Sequence, residues 1–96
     1  VHAEASQMLI VEGAQHGIAN TLRSLTNSGD TVLADSVTYQ GINALCRSLG
    51  LILVGVDADS RGMSPDALRL ACTEHQPRLL FLVPSIHNPT AITLVA

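Results

Sequence analysis

Three short stretches of this 96-residue chain combine residue types that could hold a small anionic, planar ligand. The first is Gly13-Ala14-Gln15-His16-Gly17. Its small residues let a ligand approach the backbone. If a helix opens here, its first N–H groups and its dipole favour an anion such as phosphate. Gln15 could add a side-chain donor. A tight strand-to-helix turn with no ligand fits the same residues. The stretch is neither GxGxxG nor a Walker loop, so a dinucleotide or a nucleoside triphosphate is disfavoured. The second stretch centres on Tyr39, the only tyrosine. Its ring could stack on a planar ligand, or sit half packed with its hydroxyl in water. The third is His87-Asn88-Pro89-Thr90. An asparagine before proline has a restricted backbone, so its amide could donate to a ring oxygen at a fixed place. The Asn88-Pro89 bond is of the kind that can be cis, and a plain turn also fits. His87 is a candidate for ligand contact or proton transfer, or an ordinary loop histidine. His2, His16 and His75 are weaker candidates, and Asp35 reads as a loop cap at the same rim.

One chemically important residue is missing. The five basic residues are Arg23, Arg47, Arg61, Arg69 and Arg78, so there is no lysine. A lysine amine is the usual anchor for an aldehyde cofactor. The arginines form no basic run and the net charge is −3, so this segment is not expected to bind nucleic acid.

The elements that must position these stretches follow from apolar periodicity. Gln7 to Val11 reads as a short buried strand, broken by Glu12-Gly13. A helix follows with Ile18, Leu22 and Leu25 inward, then the turn Asn27-Ser28-Gly29-Asp30 and a strand at Thr31 to Ala34. Ile42, Leu45, Cys46 and Leu49 form the core stripe of a second helix, with Gly50 as its C-terminal cap. Leu51 to Val56 is the third strand, and Asp57 to Met63 a polar connection. Ser64-Pro65 opens a third helix with Leu68, Ala71 and Cys72 inward, closed by Pro77. Leu79 to Val83 is the fourth strand. Strands alternating with helices imply parallel pairing and right-handed crossovers. Ligands in such a sheet bind beyond the carboxyl ends of the strands, which is where all three stretches fall.

Composition agrees with one small α/β domain. The apolar fraction is 47%, and Tyr39 and Phe81 are the only aromatic residues, so an aliphatic sheet covered on both faces is expected. Cys46 and Cys72 are expected to be buried thiols in a reduced compartment. There is no CxxC, metal-ligand spacing, signal peptide or transmembrane run. The expectation is a cytoplasmic protein without metal or membrane contact.

GAQHG, then Tyr39, then SIHNPT, in that order, resembles the class I/II aminotransferases of fold type I. The segments Gln7–Val11, Thr31–Asp35, Leu51–Val56 and Leu79–Ser85 align with that family throughout. The resemblance implies a three-layer α-β-α fold with a mostly parallel sheet. Residues 1–96 would be a piece of its large cofactor-binding domain, with four strands, three helices and no second domain. It implies pyridoxal 5'-phosphate as cofactor, with Gly13, Ala14 and Gln15 at the phosphate and Tyr39 stacked on the pyridine ring. Asn88 would bond the ring's phenolic oxygen, with Asn88-Pro89 cis. His87, Pro89 and Thr90 would stand at or behind the substrate. A homodimeric parent acting on an amino acid and a 2-oxo acid is also implied.

The family's aspartate and lysine lie downstream of HNPT, so both termini are expected to be cuts in a longer protein. No catalytic residue is then expected within the chain, and the chain alone should be inactive. Strand Gln7–Val11 should lack a partner among the other three, because intervening strands come later in the family. Ala91 stands where the family usually has the glycine of NPTG. The wording IHNPTAIT is similar to the aminotransferase-like domain of MocR-type transcriptional regulators. Three readings result: part of an aminotransferase, part of such a regulator's effector domain, or an unrelated α/β module for a phosphorylated ligand.

Overall fold

The computed structural model describes residues 2–36 and 40–83. Three parallel strands form its centre. Strand β1 (Thr31–Asp35) lies between β2 (Ile52–Val56) and β5 (Leu79–Leu80), giving the order β2-β1-β5. Thr31 pairs with Ile52 and Asp35 with Val56, while Val32 and Leu33 pair with Leu79 and Leu80. As the central strand, β1 is buried on both faces, with Val32, Leu33 and Ala34 at 0% exposure.

Side-chain alternation along the strands assigns the layers. Val32, Leu53 and Leu79 pack with Ile18 and Leu22 of α1 (Ala14–Leu25) and Ile42 and Cys46 of α2 (Gln40–Ser48). Leu33, Val54 and Val56 pack on the other face with Ala67, Leu68 and Ala71 of α3 (Pro65–His75). The expected α-β-α layering is therefore present.

Local sequence explains the helix ends. Gly50 takes φ 71, Leu51 N–H donates to Cys46 O at 2.8 Å, and Gly50 N–H donates to Arg47 O at 3.4 Å. That pair of bonds is a Schellman motif. The Ser64 hydroxyl accepts the Ala67 N–H at 3.3 Å, Pro65 fills the first helical position, and Gln76 closes α3 at φ 47 before Pro77.

Four expectations need correction. Gln7–Val11 is no strand. A 3₁₀ turn spans Ala5–Gln7, and Met8, Leu9 and Ile10 are 63%, 77% and 98% exposed. An extended segment without a ladder partner has no sheet face to bury, and none of the described strands pairs with it. That agrees with the expectation that it lacks a partner at Leu79–Val83. Strand β5 covers only Leu79–Leu80, although Phe81 N–H still donates to Leu33 O at 2.7 Å. The connection 57–63 contains an unexpected hairpin, β3 (Ala58–Asp59) with β4 (Gly62–Met63), turned by Gly62 at φ 111. Leu25 and Cys72 are exposed rather than inward. Leu25 ends α1 as the chain turns towards β1. Cys72 lies on α3 beside the covered stripe.

The two thiols should therefore react separately. Burial pushes the Cys46 thiol up from its ordinary range, lowering its thiolate fraction, whereas Cys72 is open to solvent. A disulfide reagent near pH 8 should modify Cys72 quickly and Cys46 only on unfolding. Mass spectrometry of the partly labelled chain checks the order.

Candidate functional site

The carboxyl edge of the sheet gathers the chemistry. Helix α1 feeds β1 through a short turn, so its N-terminus lies at the carboxyl end of β1. Helix α2 follows β1 directly and begins at the same edge. The two helix starts touch: Gln15 Nε2 donates to Gly41 O at 3.1 Å. Gln15, expected as a phosphate donor, is thus also a strut between α1 and the exit of the Tyr39 loop.

Gly13 sets the shape of the turn. Its φ of 98 and ψ of 168 fall in a region essentially confined to glycine. No atom stands within 4 Å of where its Cβ would be, and no side chain caps α1. A helix leaves its first N–H groups without intrahelical partners, and the first turn contains no acidic residue. Gly13 therefore leaves room for close approach to the start of α1, at the positive end of the helix dipole. Gly17 has a different purpose: a Cβ there would stand 3.3 Å from Val11 Cγ2, so its small size lets the incoming chain lie against α1.

His16 completes the turn. Its Nδ1 accepts the Glu12 N–H at 2.9 Å, and its Nε2 lies 3.1 Å from the Asn20 carboxamide. On the same edge, Asp35 ends β1 in a buried position. Ser36 N–H donates to Val56 O at 3.0 Å. Gly55 permits this: a Cβ there would meet Ser36 Cα at 2.9 Å, too close for any other residue without moving the backbone. Gly55 thereby sets how the chain leaves β1 at Ser36. From the first turn of α1 a largely apolar groove of about 410 Å³ runs between Ala14, Gly17 and Thr21 and the segment Leu79–Leu82.

Tyr39, His87, Asn88, Pro89 and Thr90 lie outside the described residues. Of the expected site residues, the structure brings together Gly13, Ala14 and Gln15. Sequence reasoning named His16 only as a weak candidate without its contacts, and did not anticipate the contributions of Asn20, Gly41 and Gly55. His16 at the third helical position was the available signal, because a side chain there can reach back to the preceding backbone. Among the described residues no group of acidic, histidine or cysteine side chains could hold a metal. No helix among them is long and apolar enough to cross a membrane.

Comparison with known proteins gives a consistent picture. Residues 1–95 match the family model described as aminotransferase class I and II. An uncharacterized HTH-type transcriptional regulator, YdeF of Bacillus subtilis, is 36% identical over 83 residues, covering 86% of this chain and 18% of its own. An aromatic amino acid aminotransferase of Schizosaccharomyces pombe is 38% identical over 88 residues, covering 85% and 18%. Among solved structures, LysN of Thermus thermophilus superposes with a TM-score of 0.80 at 29% identity. The match covers 86% of this chain and 21% of LysN, an alpha-aminoadipate aminotransferase complexed with N-(5'-phosphopyridoxyl)-L-leucine. The chain thus spans about a fifth of the length of these relatives.

Proposed function

Because the chain belongs to the class I and II aminotransferase family, we propose that it supplies the phosphate-binding edge of a pyridoxal phosphate site in an aminotransferase. The observation that carries this reading is the start of α1, where no side chain caps the helix and Gly13 at φ 98 leaves room beside the backbone. A phosphate dianion fits this donor set, since it needs several N–H groups and close backbone approach.

In this reading Gly13, Ala14 and Gln15 hold the phosphate and thereby fix the cofactor's position. Tyr39 covers one face of its ring, and Asn88 donates to the ring oxygen, with His87, Pro89 and Thr90 beside the substrate. Bound pyridoxal phosphate supplies the electron sink for moving an amino group from an amino acid to a 2-oxo acid. The lysine that chemistry needs is not among these 96 residues, so the chain provides binding and orientation and no catalytic residue. Residues 1–96 are then one piece of the large domain of a cytoplasmic homodimer.

Titrating the full-length protein with pyridoxal phosphate tests this. A visible absorption band of bound cofactor should develop, and the loaded protein should convert an amino acid with a 2-oxo acid. Absence of the band would overturn the cofactor reading.

One observation favours a second reading. Regulators such as YdeF match this chain as well as the enzymes do, and Ala91 departs from NPTG as expected for a MocR-type effector domain. Full-length protein that binds the cofactor and operator DNA without turnover would select it. Membership of the family leaves an unrelated phosphate-binding module without support.

A further inference from the structure

We infer that His16 is a positioning residue for the phosphate-binding turn, acting as a latch that holds the Glu12-Gly13 backbone in its binding shape. The inference rests on the cofactor reading above and assigns a task to a side chain outside that contact set.

The turn needs a latch because of the residue that makes it possible. Gly13 permits close approach of a ligand, but a glycine confers no conformational restraint of its own. Loose donors lose affinity, because ordering them must be offset when the ligand binds. Restraint comes from both sides of Gly13. On the helix side, Gly17 N–H donates to Gly13 O at 3.2 Å. On the side of the incoming chain, His16 Nδ1 accepts the Glu12 N–H at 2.9 Å. The Glu12-Gly13 peptide is held between these two bonds, which fixes the backbone that leads into the first helical turn.

The ring is itself held in one orientation. A backbone N–H can only donate, so Nδ1 is an acceptor and the neutral ring has its proton on Nε2. Asn20 Nδ2 lies 3.1 Å from Nε2, so with the ring proton on Nε2 the carboxamide turns about its last bond to offer its oxygen. Asn20 stands one turn further along α1, directly above His16 on the same face. The sequence H-x-x-x-N at the helix start therefore acts together: the Glu12 N–H sets the tautomer, and Asn20, turned to match, steadies the other side of the ring.

Phosphate dependence separates this role from ordinary helix capping. The full-length protein, His16→Ala and His16→Gln are each titrated with pyridoxal phosphate and with pyridoxal, which lacks the phosphate. His16→Ala should weaken pyridoxal phosphate about tenfold, the equivalent of one hydrogen bond, and leave pyridoxal within about twofold. His16→Gln should stay within about threefold of the parent, because a glutamine at this helical position also reaches back to accept a backbone N–H at the same turn. Selective ¹⁵N NMR of the unmutated protein, which does not depend on either variant folding, should place the His16 proton on Nε2. Equal affinity of His16→Ala and the parent would overturn the inference alone. So would parallel loss of both ligands, equal loss in His16→Gln, or a proton on Nδ1. A parent protein that binds no pyridoxal phosphate would overturn the cofactor reading, and this inference with it.

Discussion

Gly13→Val should raise the dissociation constant for pyridoxal phosphate by about 10- to 100-fold while leaving that for pyridoxal nearly unchanged. The residue takes φ 98 and ψ 168, a conformation a β-branched side chain reaches only at a cost of about 1–3 kcal/mol. The backbone should relax by rotating the Glu12-Gly13 peptide, which turns the donors of the first helical turn away from a common point. Each charge-assisted bond lost contributes about 1.5–3 kcal/mol, and every 1.4 kcal/mol is a factor of about ten, so one misdirected donor accounts for the range. Steric obstruction inside the turn contributes little, since nothing stands within 4 Å of the added Cβ. Fluorescence or absorbance titration of the full-length variant is the measurement. Unchanged affinity for pyridoxal phosphate would show that this turn does not hold the phosphate.

Leu33→Ala should have the largest effect on stability, lowering the unfolding free energy by about 2–5 kcal/mol. Leu33 is fully buried on the central strand, against Val56, Ala71 and their neighbours under α3. Both flanking strands hold β1 in register, so the sheet has little freedom to collapse into the cavity. Leu70, 58% exposed on the same helix layer, is the control, and its replacement by alanine should change stability by no more than about 0.5 kcal/mol. Urea denaturation compares the two. Similar midpoints for both variants would contradict the assignment of the core.

Much of this architecture was legible because it is written locally. The stripe of Ile42, Leu45, Cys46 and Leu49, the Gly50 cap and the Ser64-Pro65 start each have a short-range physical cause, and each element is where that cause puts it. The apolar run at Met8–Ile10 was misread because a strand is defined by its neighbours, which a run of side chains does not specify. Cys72 was misread for a related reason. Periodicity marks an apolar face, but α3 lies over the edge strand β2, and only a narrow stripe around Ala67 and Ala71 is covered.

The site divides in the same way. Gly13-Ala14-Gln15 stood out through small residues at a strand-to-helix junction. The tasks of Gln15 and Gly55 did not, since they depend on contacts to Gly41 and Ser36 across the fold. Only a three-dimensional arrangement shows that a glycine in β2 governs the exit from β1.

The exposure of Met8, Leu9 and Ile10 bears on the order of assembly. Strands β1, β2 and β5 all lie within residues 31–80 and are joined by helical crossovers, so the sheet can form once that stretch has emerged during synthesis. The apolar run is made first and has nowhere to go when it appears. It stays in solvent while the later elements fold, and an exposed apolar run of this kind favours association with other unfolded chains.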